Sequence, residues 1–390
     1  MHKYFILFLL FLRFVDVPAQ IMTGADQLNA YLPFLRDKKI GLVVNQTSRI
    51  GEKHLVDSLL LLGVDIQAVF APEHGFRGDH GAGETVKSGT DPQTGLKIIS
   101  LYGNHKKPSA KDLENIQLLI FDVQDVGARF YTYISTMHYV MEACAEQQIP
   151  LLVLDRPNPH GHYVDGPVLD TAYRSFVGMH PVPVVHGMTI GEYALMINGE
   201  KWLKNGVQCG LEVIPVKNYT HRMRYSLPVA PSPNLPNDRA VALYPQLCFF
   251  EGTRVSVGRG TDHPFQMIGM PGFRGGDTAF TPLAVAHAAP HPPYKGEQCG
   301  GYSLLAYADS LLDFQTPGRL SLELLLRMYR QSPDRPGYFI PFFDKLAGSS
   351  RLRKDLEKDA PLEAIYESWQ PGIQKFKNIR RKYLLYADFE

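Results

Sequence analysis

Short apolar runs alternate with helical stretches through the first half of this 390-residue chain, and that alternation admits few architectures. Ile40 to Val44, Ile66 to Phe70, Lys97 to Leu101, Gln117 to Val123 and Pro150 to Leu154 read as strands, with Leu55 to Leu62 and Met137 to Gln147 as helices between them. Val182 to Val185 and Leu211 to Val216 are expected to extend the sheet, separated by a helix from about Ile190 to Leu203. Strands separated by helices form a parallel sheet, because a parallel connection needs a crossover long enough to hold a helix.

The loops at the strand ends carry the chemical information. Asn45-Gln46-Thr47-Ser48 comes after the first strand, Pro72-Glu73-His74-Gly75-Phe76-Arg77-Gly78 after the second, Asp122-Val123-Gln124-Asp125 and then Arg129 after another, and Asp155-Arg156-Pro157-Asn158-Pro159 after Leu154. In open α/β sheets the ligand crevice lies beyond the carboxyl ends of the strands, so these clusters converge on one rim. A turn requires Gly, Pro, Asn or Asp; it does not require Glu, His, Gln and Arg at the same topological place each time.

The second half has a different texture. Pro231-Ser232-Pro233-Asn234-Leu235-Pro236-Asn237 reads as a rigid, strandless connector. Phe249 to Arg254 and Gly258 to Phe265 form a glycine-rich polar block containing Glu251, Arg254, Arg259, Asp262 and His263. Helical patterns come later, near Ser303 to Asp313, Ser321 to Tyr329 and Pro361 to Trp369, and a second lobe is expected to begin near residue 240. The chain length favours two lobes.

Residues 1–19 read as a secretory leader. His2 and Lys3 give a positive start, Tyr4 to Leu12 an apolar run, and Val17-Pro18-Ala19 a small-residue cleavage site before Gln20. That run is too short to span a bilayer, and no later stretch is long and apolar enough to do so. Removing Lys3, Arg13 and Asp16 from 40 basic and 39 acidic side chains leaves the two signs equal. A neutral chain lacks the basic excess that nucleic-acid binding or an anionic membrane surface requires. Cys144, Cys209, Cys248 and Cys299 lie far apart and form no zinc or redox spacing, and the sequence assigns no disulfide among them.

Glu73 is the sharpest single candidate. Pro72 constrains the backbone before it, Gly75 frees it after, and a carboxyl in a partly desolvated crevice suits a general acid. Asp122 and Asp125 are the natural second carboxylates. Arg129 is expected to clamp a substrate carboxylate or to pair with Asp125, and Glu251 and Asp262 to close the cleft from the other lobe. His74, His80, Asp122 and His263 supply potential metal ligands, but no local pair fixes two of them on one element, and no metal is assigned. No Gly-x-Ser-x-Gly elbow and no Gly-x-Gly-x-x-Gly loop is present, so serine catalysis and a nucleotide cofactor are both unsupported, and no cofactor is assigned.

At these same residues the chain resembles a bacterial family long carried as a domain of unknown function and associated with exo-acting peptidoglycan β-N-acetylmuramidases. The stretches that carry the resemblance are GLVVNQTS at 41–48, APEHGFRG at 71–78, FDVQDVGARFYTY at 121–133, LDRPNP at 154–159 and FEGTRVSVGRGTDHPF at 250–265. The resemblance implies an α/β fold. A Rossmann-like parallel-sheet lobe over residues 20–240 is expected, with a smaller α+β lobe over 241–390 and the active cleft between them. It implies release of N-acetylmuramic acid from the non-reducing end of peptidoglycan fragments such as MurNAc-GlcNAc saccharides, with Glu73 as the family's glutamate. Glycoside cleavage needs an acid at the leaving oxygen and usually a second carboxylate, here expected to be Asp122 or Asp125. Arg129, Arg254 and Arg259 compete for the lactyl carboxylate of the sugar. Asn45, His74, Tyr131, Glu251, Asp262 and His263 complete the expected substrate-binding set, and Tyr133 and Phe265 are further aromatic candidates for packing on sugar faces.

Two other readings fit the residues alone. A cell-wall amidase or esterase, metal-assisted, would lose activity on chelation. A binding protein for cell-wall fragments would hold intact substrate without turnover.

Overall fold

The structure is a computed structural model that describes residues 20–78, 88–313 and 318–390; the expected leader and His80 lie outside the described residues. The apolar runs form strands β1 (Ile40–Val44), β2 (Ile66–Ala71), β4 (Lys97–Ser100), β5 (Leu118–Asp122), β6 (Leu151–Leu154) and β7 (Leu211–Ile214), with the short β3 (Gly89–Thr90) at one edge. They make a seven-stranded sheet in the order β3-β4-β2-β1-β5-β6-β7. Every pairing is parallel except that of β3 with β4. The six parallel strands therefore have the doubly wound order in which the chain reverses direction between β1 and β5, and a crevice opens at that switch point.

Both faces of the sheet are covered, so its central strands are apolar at successive positions and lack the hydrophobic-in, polar-out alternation of a half-exposed sheet. Val43, Phe70, Phe121 and Val153 point to one side, where Met137, Val140 and Met141 of helix Tyr133–Gln147 pack on them. Leu42, Val44, Val69, Ile120 and Leu152 point to the other, against Leu55, Val56 and Leu59 of helix Leu55–Leu61. Burying each such side chain contributes roughly 1.5–3 kcal/mol.

The first core continues without interruption beyond residue 240. Phe130 meets Phe249 edge-on at 5.3 Å, and the same cluster takes in Leu325, Phe343 and Trp369. The C-terminal part holds a three-stranded antiparallel sheet, β8 (Met267–Met270), β9 (Thr278–Phe280) and β10 (Cys299–Ser303), with β10 in the middle, together with helices that include Leu305–Leu312, Glu323–Arg330 and Leu362–Arg380.

Three expectations are corrected. Val182–Val185 is not a strand of the main sheet: it makes isolated bridges to Ala128 and Asp165, because Pro181 and Pro183 remove the N–H groups a ladder needs. The helix expected from Met137 begins at Tyr133, and the last helix runs on to Arg380, through Pro371.

Candidate active site

The turn after β2 aims Glu73 at the crevice. His74 and Gly75 both take left-handed backbone angles, φ 73° and 81°, and the Gly75 N–H closes the turn on the Pro72 carbonyl at 3.1 Å. A non-glycine residue in that region is uncommon, and histidine is one of the residues that enters it. The Thr132 hydroxyl donates to Glu73 Oε2 at 2.7 Å. The Tyr133 hydroxyl faces the Glu73 carbonyl at 3.3 Å and in turn accepts from Asn45 Nδ2 at 2.8 Å. Asn45 is fixed through its Oδ1, which accepts from both the N–H and the hydroxyl of Thr47. The loops after β1, β2 and β5 are thus tied together around one carboxyl group. Burial holds the Tyr131 and Tyr133 phenols well above their ordinary pKa, so both remain hydrogen-bond donors at neutral pH; Tyr131 donates to the Pro231 carbonyl at 2.8 Å.

The facing wall comes from the glycine-rich block. Glu251 lies in a 3-10 turn at Cys248–Gly252, and Arg259 sits between Gly258 and Gly260, whose positive φ angles of 76° and 82° bend the loop toward it. Arg259 Nε and Nη2 reach Glu251 Oε1 at 2.8 and 2.7 Å, and the guanidinium carbon lies 5.0 Å from the Phe265 ring centroid. Burial alone lowers the Arg259 pKa; the Glu251 carboxylate more than offsets this and holds it above the ordinary value. Glu73, His74, Tyr131, Tyr133, Glu251 and Arg259 line one cavity of about 110 Å³, with Phe265 and Tyr244 in its walls. A larger cavity of about 360 Å³ near His162, Tyr163 and Leu320 is lined by none of the candidate site residues.

The other candidates are placed elsewhere. Asp122 is fully buried and forms a bidentate ion pair with Arg156, Nε to Oδ1 at 2.6 Å and Nη2 to Oδ2 at 2.9 Å. Asp125 is turned inward as well: its Oδ2 accepts from the Gly127 N–H at 2.7 Å and lies 3.9 Å from His186 Nε2, while burial pushes its pKa up to about 7. Neither aspartate lines the cavity. Among the described residues Arg129 pairs with no carboxylate; it is fully buried and donates to the carbonyls of Pro167, Val182 and Leu346, with burial lowering its pKa to about 9. Three carbonyl acceptors explain how a guanidinium is tolerated there, and they leave it as a brace between loops. Asp262 and His263 are exposed on the loop beyond Arg259 and do not line the cavity. Asn45 is buried behind Tyr133.

Thr132 and Tyr244 do not stand out in the sequence. A threonine after a tyrosine and a tyrosine on an amphipathic helix both resemble packing residues; Tyr244 is indeed part of the core as well as of the cavity wall, and the tertiary contact with Glu73 is what singles out Thr132. Among the described residues, no group of three or more His, Cys, Asp or Glu side chains is placed to hold a metal ion, and no helix is long and apolar enough to cross a membrane.

Comparison with known proteins agrees with this architecture. Residues 40–239 match the family model of the N-terminal part of the exo-β-N-acetylmuramidase NamZ, and residues 242–386 match that of its C-terminal part. The peptidoglycan β-N-acetylmuramidase NamZ of Bacillus subtilis (strain 168) is 39% identical over 386 residues, covering 94% of this chain and 92% of that protein. A crystal structure of a DUF1343 family protein from Bacteroides fragilis NCTC 9343 superposes with a TM-score of 0.86 at 45% identity, covering 95% of this chain and all of that one. A second from the same organism gives 0.80 at 30% identity over 94% of this chain and 99% of that one. The chain belongs to the exo-β-N-acetylmuramidase NamZ family.

Proposed function

We propose that this protein is an exported glycoside hydrolase that releases N-acetylmuramic acid from the non-reducing end of peptidoglycan fragments, MurNAc-GlcNAc saccharides among them. The observation that carries the reading is the meeting of Glu73 and Glu251 in one cavity, from opposite halves of the chain. Glu73 is the general acid: the Thr132 hydroxyl orients its carboxyl, and its proton goes to the glycosidic oxygen as the bond to the leaving sugar breaks. Glu251, kept in place by Arg259, is the second carboxylate and faces the positive charge that develops on the sugar ring; a water molecule bonds to the anomeric carbon, its hydroxyl completing N-acetylmuramic acid and its proton passing to a carboxylate of the pair. It takes the role first expected of Asp122 or Asp125, since both of those lie away from the cavity. Tyr131 and Phe265 supply aromatic wall.

The test is hydrolysis of a chromogenic β-MurNAc glycoside and of the MurNAc-GlcNAc disaccharide. Release of muramic acid from the disaccharide is expected; folded protein that cleaves neither compound, or that is inactivated by a chelator and restored by zinc, contradicts the proposal. Export rests on the pattern of residues 1–19. It is tested by sequencing the N-terminus of protein from the periplasmic fraction, with Gln20 or a neighbour expected and Met1 on cytoplasmic protein contradicting it.

A further inference from the structure

Glu251 and Arg259 line a second chamber as well, of about 320 Å³, whose other walls include Arg254, Tyr294, Val257 and Ile340. Glu73, Tyr131 and Tyr133 do not line it, so the Glu251–Arg259 pair is the wall that the acid's cavity and this adjoining chamber share. The chamber is built on a fixed frame. The Arg254 backbone N–H donates to the Tyr338 carbonyl at 2.9 Å, and the Arg254 carbonyl accepts the Tyr294 hydroxyl at 2.6 Å. Tyr294 itself sits at φ 59°, a left-handed conformation costing an ordinary residue roughly 1–2 kcal/mol. A half-buried tyrosine pinned at its hydroxyl and strained at its backbone keeps a ring face in place that relaxation would otherwise withdraw.

The three arginines that the sequence offered for a carboxylate now differ. Arg129 is buried under carbonyls, and Arg259 is neutralised by Glu251. Arg254 is exposed; its Nε donates to the neutral Gly337 carbonyl at 3.3 Å, and among the described residues no carboxylate pairs with it. Its guanidinium edge is therefore available at the mouth of a chamber with aliphatic and aromatic walls. A short apolar arm ending in a carboxylate fits that chemistry, since guanidinium matches carboxylate in a planar, two-bond geometry.

We infer that the Arg254–Tyr294 chamber binds the carboxylate-bearing side arm of the sugar in the active site, with Arg254 as counter-charge and Tyr294 as wall. Arg254 is then the residue that distinguishes a 3-O-lactyl sugar from its parent N-acetylglucosamine. The inference rests on the muramidase reading, and the test separates the two. Wild type, Arg254→Gln and Arg254→Lys are assayed on the 4-nitrophenyl β-glycosides of MurNAc and GlcNAc. Calorimetric binding of free N-acetylmuramic acid and free N-acetylglucosamine to each protein is measured alongside, and thermal melting checks folding.

Wild type is expected to prefer the muramic acid glycoside. In Arg254→Gln that preference falls roughly ten- to a hundredfold, the range for a lost charge-assisted hydrogen bond, with the change in KM and not in kcat. Arg254→Lys restores part of it, and added salt weakens it in wild type, as an exposed ion pair requires. Wild type that cleaves the muramic acid glycoside while Arg254→Gln, equally folded, keeps the full preference overturns the chamber assignment and leaves the muramidase reading intact. Wild type that cleaves neither these glycosides nor the MurNAc-GlcNAc disaccharide overturns the muramidase reading. The chamber assignment is then decided by binding: muramic acid held more tightly than N-acetylglucosamine by wild type and equally by Arg254→Gln supports it, and any other pattern overturns it.

Discussion

Thr132 donates its hydroxyl proton to Glu73 Oε2 across 2.7 Å, joining the loop after β5 to the turn after β2 at the carboxyl group that faces the cavity. Thr132 precedes helix Tyr133–Gln147 but its side chain makes no capping bond to that helix. Its hydroxyl is free of a stabilising duty in the helix, and its one partner of consequence is Glu73.

Thr132→Val keeps the shape of the side chain and removes that bond. Glu73 carries its proton when it acts as the acid, and a hydrogen bond between uncharged groups contributes about 0.5–1.5 kcal/mol, so kcat is expected to fall roughly two- to tenfold while KM and melting temperature stay near wild type. Thr132→Ser should retain most of the activity. Steady-state kinetics on the disaccharide decide it; equal kcat in Val and wild type means that Thr132 does not orient the acid.

Asp125 gives a pH signature without a catalytic one. Burial raises its pKa to about 7, so between the ordinary carboxylate range and about 7 the folded protein holds a proton that the unfolded chain has released. Stability contributed by this group is therefore present at low pH, is lost as pH rises through that window, and is level above it. Asp125→Asn abolishes the titration. Its melting temperature relative to wild type is expected to shift in the variant's favour from pH 4 to pH 8, with turnover close to wild type because the residue is off the cavity. A pH-independent difference, or loss of turnover in a folded variant, contradicts this placement.

Asp122→Asn leaves Arg156 buried without its countercharge. Breaking a buried pair from one side costs about 3–5 kcal/mol. Denaturant unfolding should show a loss of that size, while protein that remains folded at low temperature keeps its turnover. A change below about 1 kcal/mol would mean that the pair is solvated or weakly formed.

The strands were legible because a covered parallel sheet demands near-continuous apolar runs, and Glu73 because Pro72 and Gly75 frame a polar turn at a strand end. Asp122, Asp125 and Arg129 all stand at or just beyond the end of one strand, but polarity at such a place does not say whether a side chain faces the crevice or the protein. Asp122 is the last residue of β5, still in register beside β1, and that position turned it toward Arg156 on the neighbouring loop. Arg129 is satisfied by carbonyls far away in sequence, one of them Leu346, and no local pattern announces such partners. The meeting of Glu251 with Glu73 likewise depends on how the C-terminal part packs onto the first core, through contacts such as Phe130 with Phe249.

Glu73→Gln tests the acid at the centre of the site, since glutamine keeps the size of the side chain and still accepts the Thr132 hydroxyl but holds no proton to transfer. General acid catalysis contributes roughly 10²- to 10⁴-fold. The decisive quantity is kcat of Glu73→Gln on the MurNAc-GlcNAc disaccharide beside wild type of equal melting temperature: a loss of at least about a hundredfold is predicted on that scale, and turnover near the wild-type rate would contradict the assignment of Glu73 as the acid.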